Sequence, residues 1–172
     1  RLAEALNAGP KCVLPLVLKE DRLFEATEEL FMPLGIFLTD RTITAVANIV
    51  SDPTDKIPRE VQPVDGNGKI ASFPLAVSLQ YLGYSLSDVQ AEGSFIKFGG
   101  YSIPVYNQSA LVNYKCAKIG RFSASDVLES SFSPDFFFRD KIVLIGRTDL
   151  ASKDFVNTPV SSGKIFETTL IA

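Results

Sequence analysis

The chain of 172 residues has no histidine, no tryptophan and only two cysteines, Cys12 and Cys116. Without histidine there is no Ser-His-Asp or Cys-His nucleophile and no histidine metal site. Two cysteines do not make a cysteine zinc site either, so only carboxylates remain as metal ligands, and no cofactor is implied. Acid–base chemistry would fall to carboxylates, Lys, Tyr or Cys. An excess of either charge is also missing: Lys+Arg 17 against Asp+Glu 20 gives −3. That balance excludes a large electrostatic footprint for nucleic acid or an anionic membrane surface. A membrane-spanning run is absent as well. The longest apolar stretch, Leu30–Leu38, is interrupted by Pro33 and Gly35 and is about half of the roughly 20 residues a spanning helix needs. No signal peptide is expected from the pattern of the first residues.

What is present suits one folded domain over residues 1–172. Hydrophobic residues make up 46%, too many for a disordered chain of low net charge. A chain of this length buries roughly 70% of its unfolded surface and needs no staples. The first residues are already helical in pattern and the last, Thr169–Ala172, carry no stop signal. The expectation is a domain cut from a longer protein. Cys12 lies in an apolar run, where a free thiol behaves as a small hydrophobe, and Cys116 follows another strand-like run. A bridge between them and two separate thiols both stay open.

Residues 1–8 read as an amphipathic helix with Leu2, Ala5 and Leu6 on one face, closed by a left-handed Gly9 and by Pro10. Lys11–Leu18 reads as a strand buried on both faces, with Pro15 marking an edge or bulge. Residues 19–40 read as a loop with a short helical turn, and Thr42–Val50 as a β-branched strand. Ser51–Asp55 is a turn cluster and Ile57–Val64 a returning partner strand. Asp65-Gly66-Asn67-Gly68 is a second turn, since it lacks the terminal glutamate of a calcium loop. Ser72–Leu82 has helical periodicity and ends at Gly83. Ser94–Phe98 and Tyr101–Tyr106 flank Gly99-Gly100 as a β-hairpin, with Ala110–Tyr114 as a third strand. Ser123 and Asp126 have capping-box spacing for a helix over 123–128. Lys141–Ile145 reads as a short buried strand, and a helix is expected after Gly163. The fold class is α/β, a mixed sheet with β-hairpins and flanking helices.

Several constellations touch on function. The strand ending at Gly146 is followed by Arg147, Thr148, Asp149, Lys153 and Asp154, and ligands in open α/β sheets sit beyond such strand ends. Arg147, Thr148, Asp149 and Asp154 are therefore candidate ligand-binding residues, although no G-x-G-x-x-G phosphate fingerprint accompanies them. Ser161-Ser162-Gly163-Lys164 matches the Ser-x-x-Lys of penicillin-recognising enzymes but lacks its partner motifs, and Gly163 weakens the helix that contact needs. A small α/β hydrolase using Ser–Lys chemistry is the enzymatic alternative, and a docking module without a ligand is a third reading. Asn107-Gln108-Ser109 fits a glycosylation sequon. Asp52 and Asp55 flank Pro53 as turn formers. Phe136-Phe137-Phe138 reads as core or dimer surface.

Taken in order, these segments resemble one sensory family. Asp52-Pro53-Thr54-Asp55-Lys56-Ile57-Pro58-Arg59 and Phe73-Pro74-Leu75-Ala76 resemble its Asp-x-Asp-Gly-Val-Val-Arg and Pro-Ser-Leu-Ala patterns. Leu111–Tyr114, Asp126-Val127-Leu128, Lys141–Gly146, Asp154-Phe155, Thr158-Pro159 and Gly163 follow in the same order. The chain resembles the type-2 CHASE domain, the cyclase- and histidine-kinase-associated extracellular sensing domain. Lys56 stands where the family usually has glycine, and Glu167 where a histidine commonly follows the last glycine. On this resemblance the family's opening strand and the helix after it are expected to be missing before Arg1.

The resemblance implies a non-enzymatic, extracytoplasmic (periplasmic) input domain of a bacterial membrane receptor. Flanking transmembrane helices outside this chain would anchor it, and a cyclase or kinase would supply the output. It implies an unidentified small-molecule or environmental stimulus, a homodimer in the full-length receptor and no nucleic acid. The stimulus would pass through the C-terminal helix, with Thr158, Pro159 and Gly163 as candidate coupling residues, because proline stiffens the connection.

Overall fold

The computed structural model describes residues 1–18, 30–65, 68–114, 120–129, 133–146, 155–159 and 164–166. In chain order they form helix α1 (Leu2–Ala8) and strands β1 (Cys12–Leu18), β2 (Leu30–Phe31), β3 (Thr42–Val46) and β4 (Glu60–Val61). Helix α2 (Phe73–Leu82) and strands β5 (Gln90–Glu92), β6 (Phe95–Phe98), β7 (Tyr101–Pro104) and β8 (Ala110–Leu111) follow. Helices α3 (Ala124–Glu129) and α4 (Pro134–Phe138) and strands β9 (Phe155–Asn157) and β10 (Lys164–Phe166) complete the order. This is the expected α/β class. Among the described residues no helix is long and apolar enough to cross a membrane.

The mixed sheet has the order β2-β1-β3, with β1 parallel to β3 and antiparallel to β2. Cys12 N–H donates to Arg41 O, and Leu16 O accepts from Ala47 N–H. In a parallel ladder alternate residues face one neighbour, so Pro15 turns its nitrogen away from β3. On that other side β2 reaches only Val17 and Leu18, and the missing donor disturbs no ladder bond. Both faces of β1 are covered in part: Val13 packs against the main core and Leu16, on the opposite face, against Val46, while Pro15 and Val17 are exposed.

Beyond β3, Ala71 and Ser72 run alongside Val46 and carry the chain into α2: Val46 N–H donates to Ala71 O, and Ser72 N–H to Pro63 O. The apolar face of α2 (Leu75, Ala76, Leu79) then packs with Ala45, Ala71 and Phe98 into the main core. Alanines on both surfaces let the helix lie close to the strand. Leu16, Val46 and Ile70 form a second, smaller cluster.

Several expectations are corrected. Gly9 closes α1 in extended rather than left-handed geometry, with φ −84°. Its need for glycine is space, because a Cβ there would lie 2.8 Å from Ala5 O. The Ile57–Val64 segment pairs through β4 with β8 and not with β3, so β8 belongs with β4 rather than with the hairpin. The hairpin's third strand is β5, signalled by Gly93-Ser94, a pair that suits a tight turn. Lys141–Ile145 is not a strand: it has no ladder partner among the described residues, and Ile145 is 96% exposed. An apolar run alone does not make a strand; a neighbouring edge must accept it. Lys164–Phe166 is a strand, paired antiparallel with Phe155–Asn157, where a helix was expected. Its β-branched and aromatic residues suit a ladder, and β9 supplies one. Cys116 and residues 66–67 lie outside the described residues.

Lys56, at the position of the resembling family's glycine, has φ +61°. A side chain there costs about 1–2 kcal/mol, partly offset by the greater entropy glycine loses on folding. Lys56→Gly is therefore expected to stabilise the protein by about 1 kcal/mol. Urea unfolding measures it; an unchanged or lower midpoint would remove the backbone explanation.

Candidate functional site

The turn Asp52–Arg59 is built by its own side chains. The Asp52 carboxylate accepts from Thr54 N–H at 2.7 Å, and Asp55 from Ile57 N–H at 3.0 Å. Lys56 N–H donates to Asp52 O, and Asp52 N–H to Ile57 O. Arg59 closes the unit with a bidentate pair on Asp55, at 2.9 and 2.6 Å; Asp52 lies 3.7 Å from the same guanidinium. Both acids are turn formers, as expected.

The hydrogen-bonded Arg59 guanidinium holds the Asp55 carboxyl at about 2, helped by Ile57 N–H and opposed by desolvation. A carboxyl lowered in the folded state contributes stability above its unfolded value of about 3.9 and loses it as pH falls toward about 2. Arg59→Met is expected to return the Asp55 midpoint toward the ordinary carboxylate value and to flatten stability between those limits. Carbon-detected NMR titration reads it; an unmoved midpoint would show that the backbone donors suffice.

This turn launches β4. Pro58 is fully buried; its carbonyl accepts from Tyr114 O–H, and Arg59 O accepts from Val112 N–H. Burial raises the Tyr114 phenol above its ordinary pKa. The chain after β3, β4 with the residues following it, the start of α2 and the chain after β8 then enclose a cavity of about 270 Å³. Its place, at the carboxyl end of a parallel strand and the N-terminus of a helix, is where open α/β sheets take ligands. The size is just below the roughly 300–1,000 Å³ usual for small-molecule sites, which suits a small ligand.

The walls are mainly apolar, with Val46, Ile49, Val61, Ile70, Phe73 and Leu111 among them. Among the described residues two carboxylates, Glu60 and Asp65, line it, and no Lys or Arg does. Asp65 is already engaged, its carboxylate accepting from Lys69 and Ile70 N–H at 2.5 and 2.6 Å.

Gln62 and Ser72, 6% and 7% exposed, line the same cavity. Among the described residues Gln62 Nε2 and Oε1 and Ser72 Oγ have no hydrogen-bond partner. Ser72 is the N-cap of α2 but its hydroxyl makes no cap bond, and proline occupies the first helical turn. Pro74 has no N–H to offer the hydroxyl at one of its two usual positions. Each buried polar atom left unpaired costs about 1–3 kcal/mol, so three in one wall are an unusual concentration of unmade bonds.

Arg147, Thr148, Asp149 and Asp154 lie outside the described residues, as does Gly163. Thr158 is buried and Pro159 exposed at the end of β9; neither lines the cavity. The Ser-x-x-Lys match falls on Lys164, which is in β10, and on residues outside those described. Asn107-Gln108-Ser109 forms a tight turn, with φ +49° and +67° at its first two residues. Phe137 and Phe138 both meet Phe122 edge-on, while Phe136 is 79% exposed. Sequence reading missed Gln62. Its signal was an amide inside the apolar run Val61-Gln62-Pro63-Val64, where a polar side chain must find a partner or a use.

Over residues 1–172 the chain matches the family model described as the CHASE2 domain. No curated protein and no solved structure matches it.

Proposed function

The chain belongs to the CHASE2 domain family and is an extracellular sensory domain; from that premise we propose that it is the ligand-binding input of a bacterial transmembrane receptor. The output is a cytoplasmic cyclase or histidine kinase, and the full-length receptor is a homodimer anchored by helices outside this chain. The domain itself is no enzyme, a reading supported by the absence of histidine.

The cavity walled by Gln62 and Ser72 carries this reading. It lies where β3 and α2 meet, so a bound molecule changes the packing of two core elements at once. A binding event displaces an equilibrium only by its differential affinity for the two states, and tenfold signalling needs about 1.4 kcal/mol. Relay toward the membrane runs through residues 147–166, with Thr158, Pro159 and Gly163 as coupling residues and Arg147, Thr148, Asp149 and Asp154 as additional ligand contacts. The moving element at Lys164–Phe166 is a strand of the β9–β10 hairpin rather than a helix.

The test uses the full-length protein with Cys12 and Cys116 changed to serine and Leu128, 85% exposed, changed to cysteine. A membrane-impermeant maleimide should label intact cells. Labelling only after lysis would overturn the extracytoplasmic receptor.

A further inference from the structure

We propose that the cavity binds a small neutral molecule with an amide-type edge, a hydrogen-bond donor and acceptor side by side on an apolar body. The proposal deepens the sensory reading and rests on it for its role in signalling. Gln62 presents one donor, Nε2, and one acceptor, Oε1, both unpaired. The complement of a carboxamide is another amide-type edge: its carbonyl accepts from Nε2 while its N–H donates to Oε1. Ser72 Oγ, also unpaired, adds a hydroxyl that can donate or accept.

Charge selects against the alternatives. Among the described residues the lining contains two carboxylates and no cation, so an anionic ligand would meet repulsion there and no counter-charge. A cationic ligand would leave Gln62 Nε2 without an acceptor; of the two carboxylates, Asp65 is already committed to two backbone donors and Glu60 is exposed to solvent, which screens its charge. The volume of about 270 Å³ equals the liquid share of roughly nine waters at ~30 Å³ each, room for a ligand of about that many heavy atoms. The three polar atoms are shielded from solvent. Binding therefore requires the Gln62 side chain to turn from the wall into the cavity, where its amide gains the bonds it lacks in the free protein.

Benzamide, benzoate and benzylamine test this, being similar in size and differing in charge. Each is titrated into the 172-residue chain and followed by NMR shifts of the cavity residues. Benzamide should bind saturably and at least tenfold more tightly than the other two. Gln62→Leu should weaken it at least tenfold, since two hydrogen bonds are lost, while raising the Tm of the free protein because two unpaired buried atoms are removed. Gln62→Met, closer in shape, repeats the measurement should the leucine variant fold poorly. Equal binding of benzoate or benzylamine, no saturable benzamide shift, or unchanged affinity in the Gln62 variants overturns the proposal. Surface labelling without benzamide binding overturns this inference alone; benzamide binding without surface labelling overturns the receptor reading alone.

Discussion

Gly99→Ala is expected to destabilise the protein by about 2–5 kcal/mol. Gly99 is the first central residue of the turn that pairs Phe98 with Tyr101, and its φ is +53°. A side chain in that region costs about 1–2 kcal/mol. A Cβ on Gly99 would also land on the Tyr84 ring, and overpacking typically costs about 1–3 kcal/mol. Tyr84 cannot simply yield, because it packs edge-on against Phe98 and Tyr101 at 5.8 and 6.4 Å. Two other glycines separate the two costs. Gly93 has φ +58° with open space around its Cβ position, so Gly93→Ala should lose only the backbone part. Gly100 has open space and no positive φ, so Gly100→Ala should be near neutral. Denaturant midpoints order the three. Combining Gly99→Ala with Tyr84→Leu should recover the steric part as non-additivity; strict additivity would show that Tyr84 is not the obstacle.

Leu75→Ala should cost about 3 kcal/mol and lower the Tm by roughly 6–12 °C at 2–4 °C per kcal/mol for a chain of this size. Leu75 is 4% exposed in the first turn of α2 and belongs to the core cluster with Ala45, Ala71 and Phe98. The alanines around it have no side-chain length with which to fill the void, so little of the lost contact is recovered. The substitution also loosens the start of the helix that carries Ser72. Benzamide affinity should fall with stability, whereas Gln62→Leu moves the two in opposite directions. A Leu75→Ala protein as stable as the parent would mean that α2 is not held by this face.

Local chemistry was enough to read α2 from Ser72 to Gly83, the Gly99-Gly100 hairpin and the Asp52–Asp55 turn. In each, the deciding interactions lie within a few residues: a periodic apolar face, a glycine where φ is positive, carboxylates that accept from N–H groups two residues on. Lys56 and Arg59 were named only through the family resemblance; their place in this turn came with the structure, where Lys56 N–H donates to Asp52 O and Arg59 closes on Asp55. Segments whose state depends on a distant neighbour were not legible. Lys141–Ile145 has the apolar content of a strand and no ladder partner among the described residues; Lys164–Phe166 has a partner in β9 and is a strand. β4 chose β8 over β3 because Ala71 and Ser72 already occupy the β3 edge, which no local pattern reveals. The cavity belongs to this second kind. Gln62 stands out in its apolar run, but only the approach of β3, α2 and the chain after β8 buries it. Desolvation by distant elements, not sequence, turns an ordinary amide into an unpaired one.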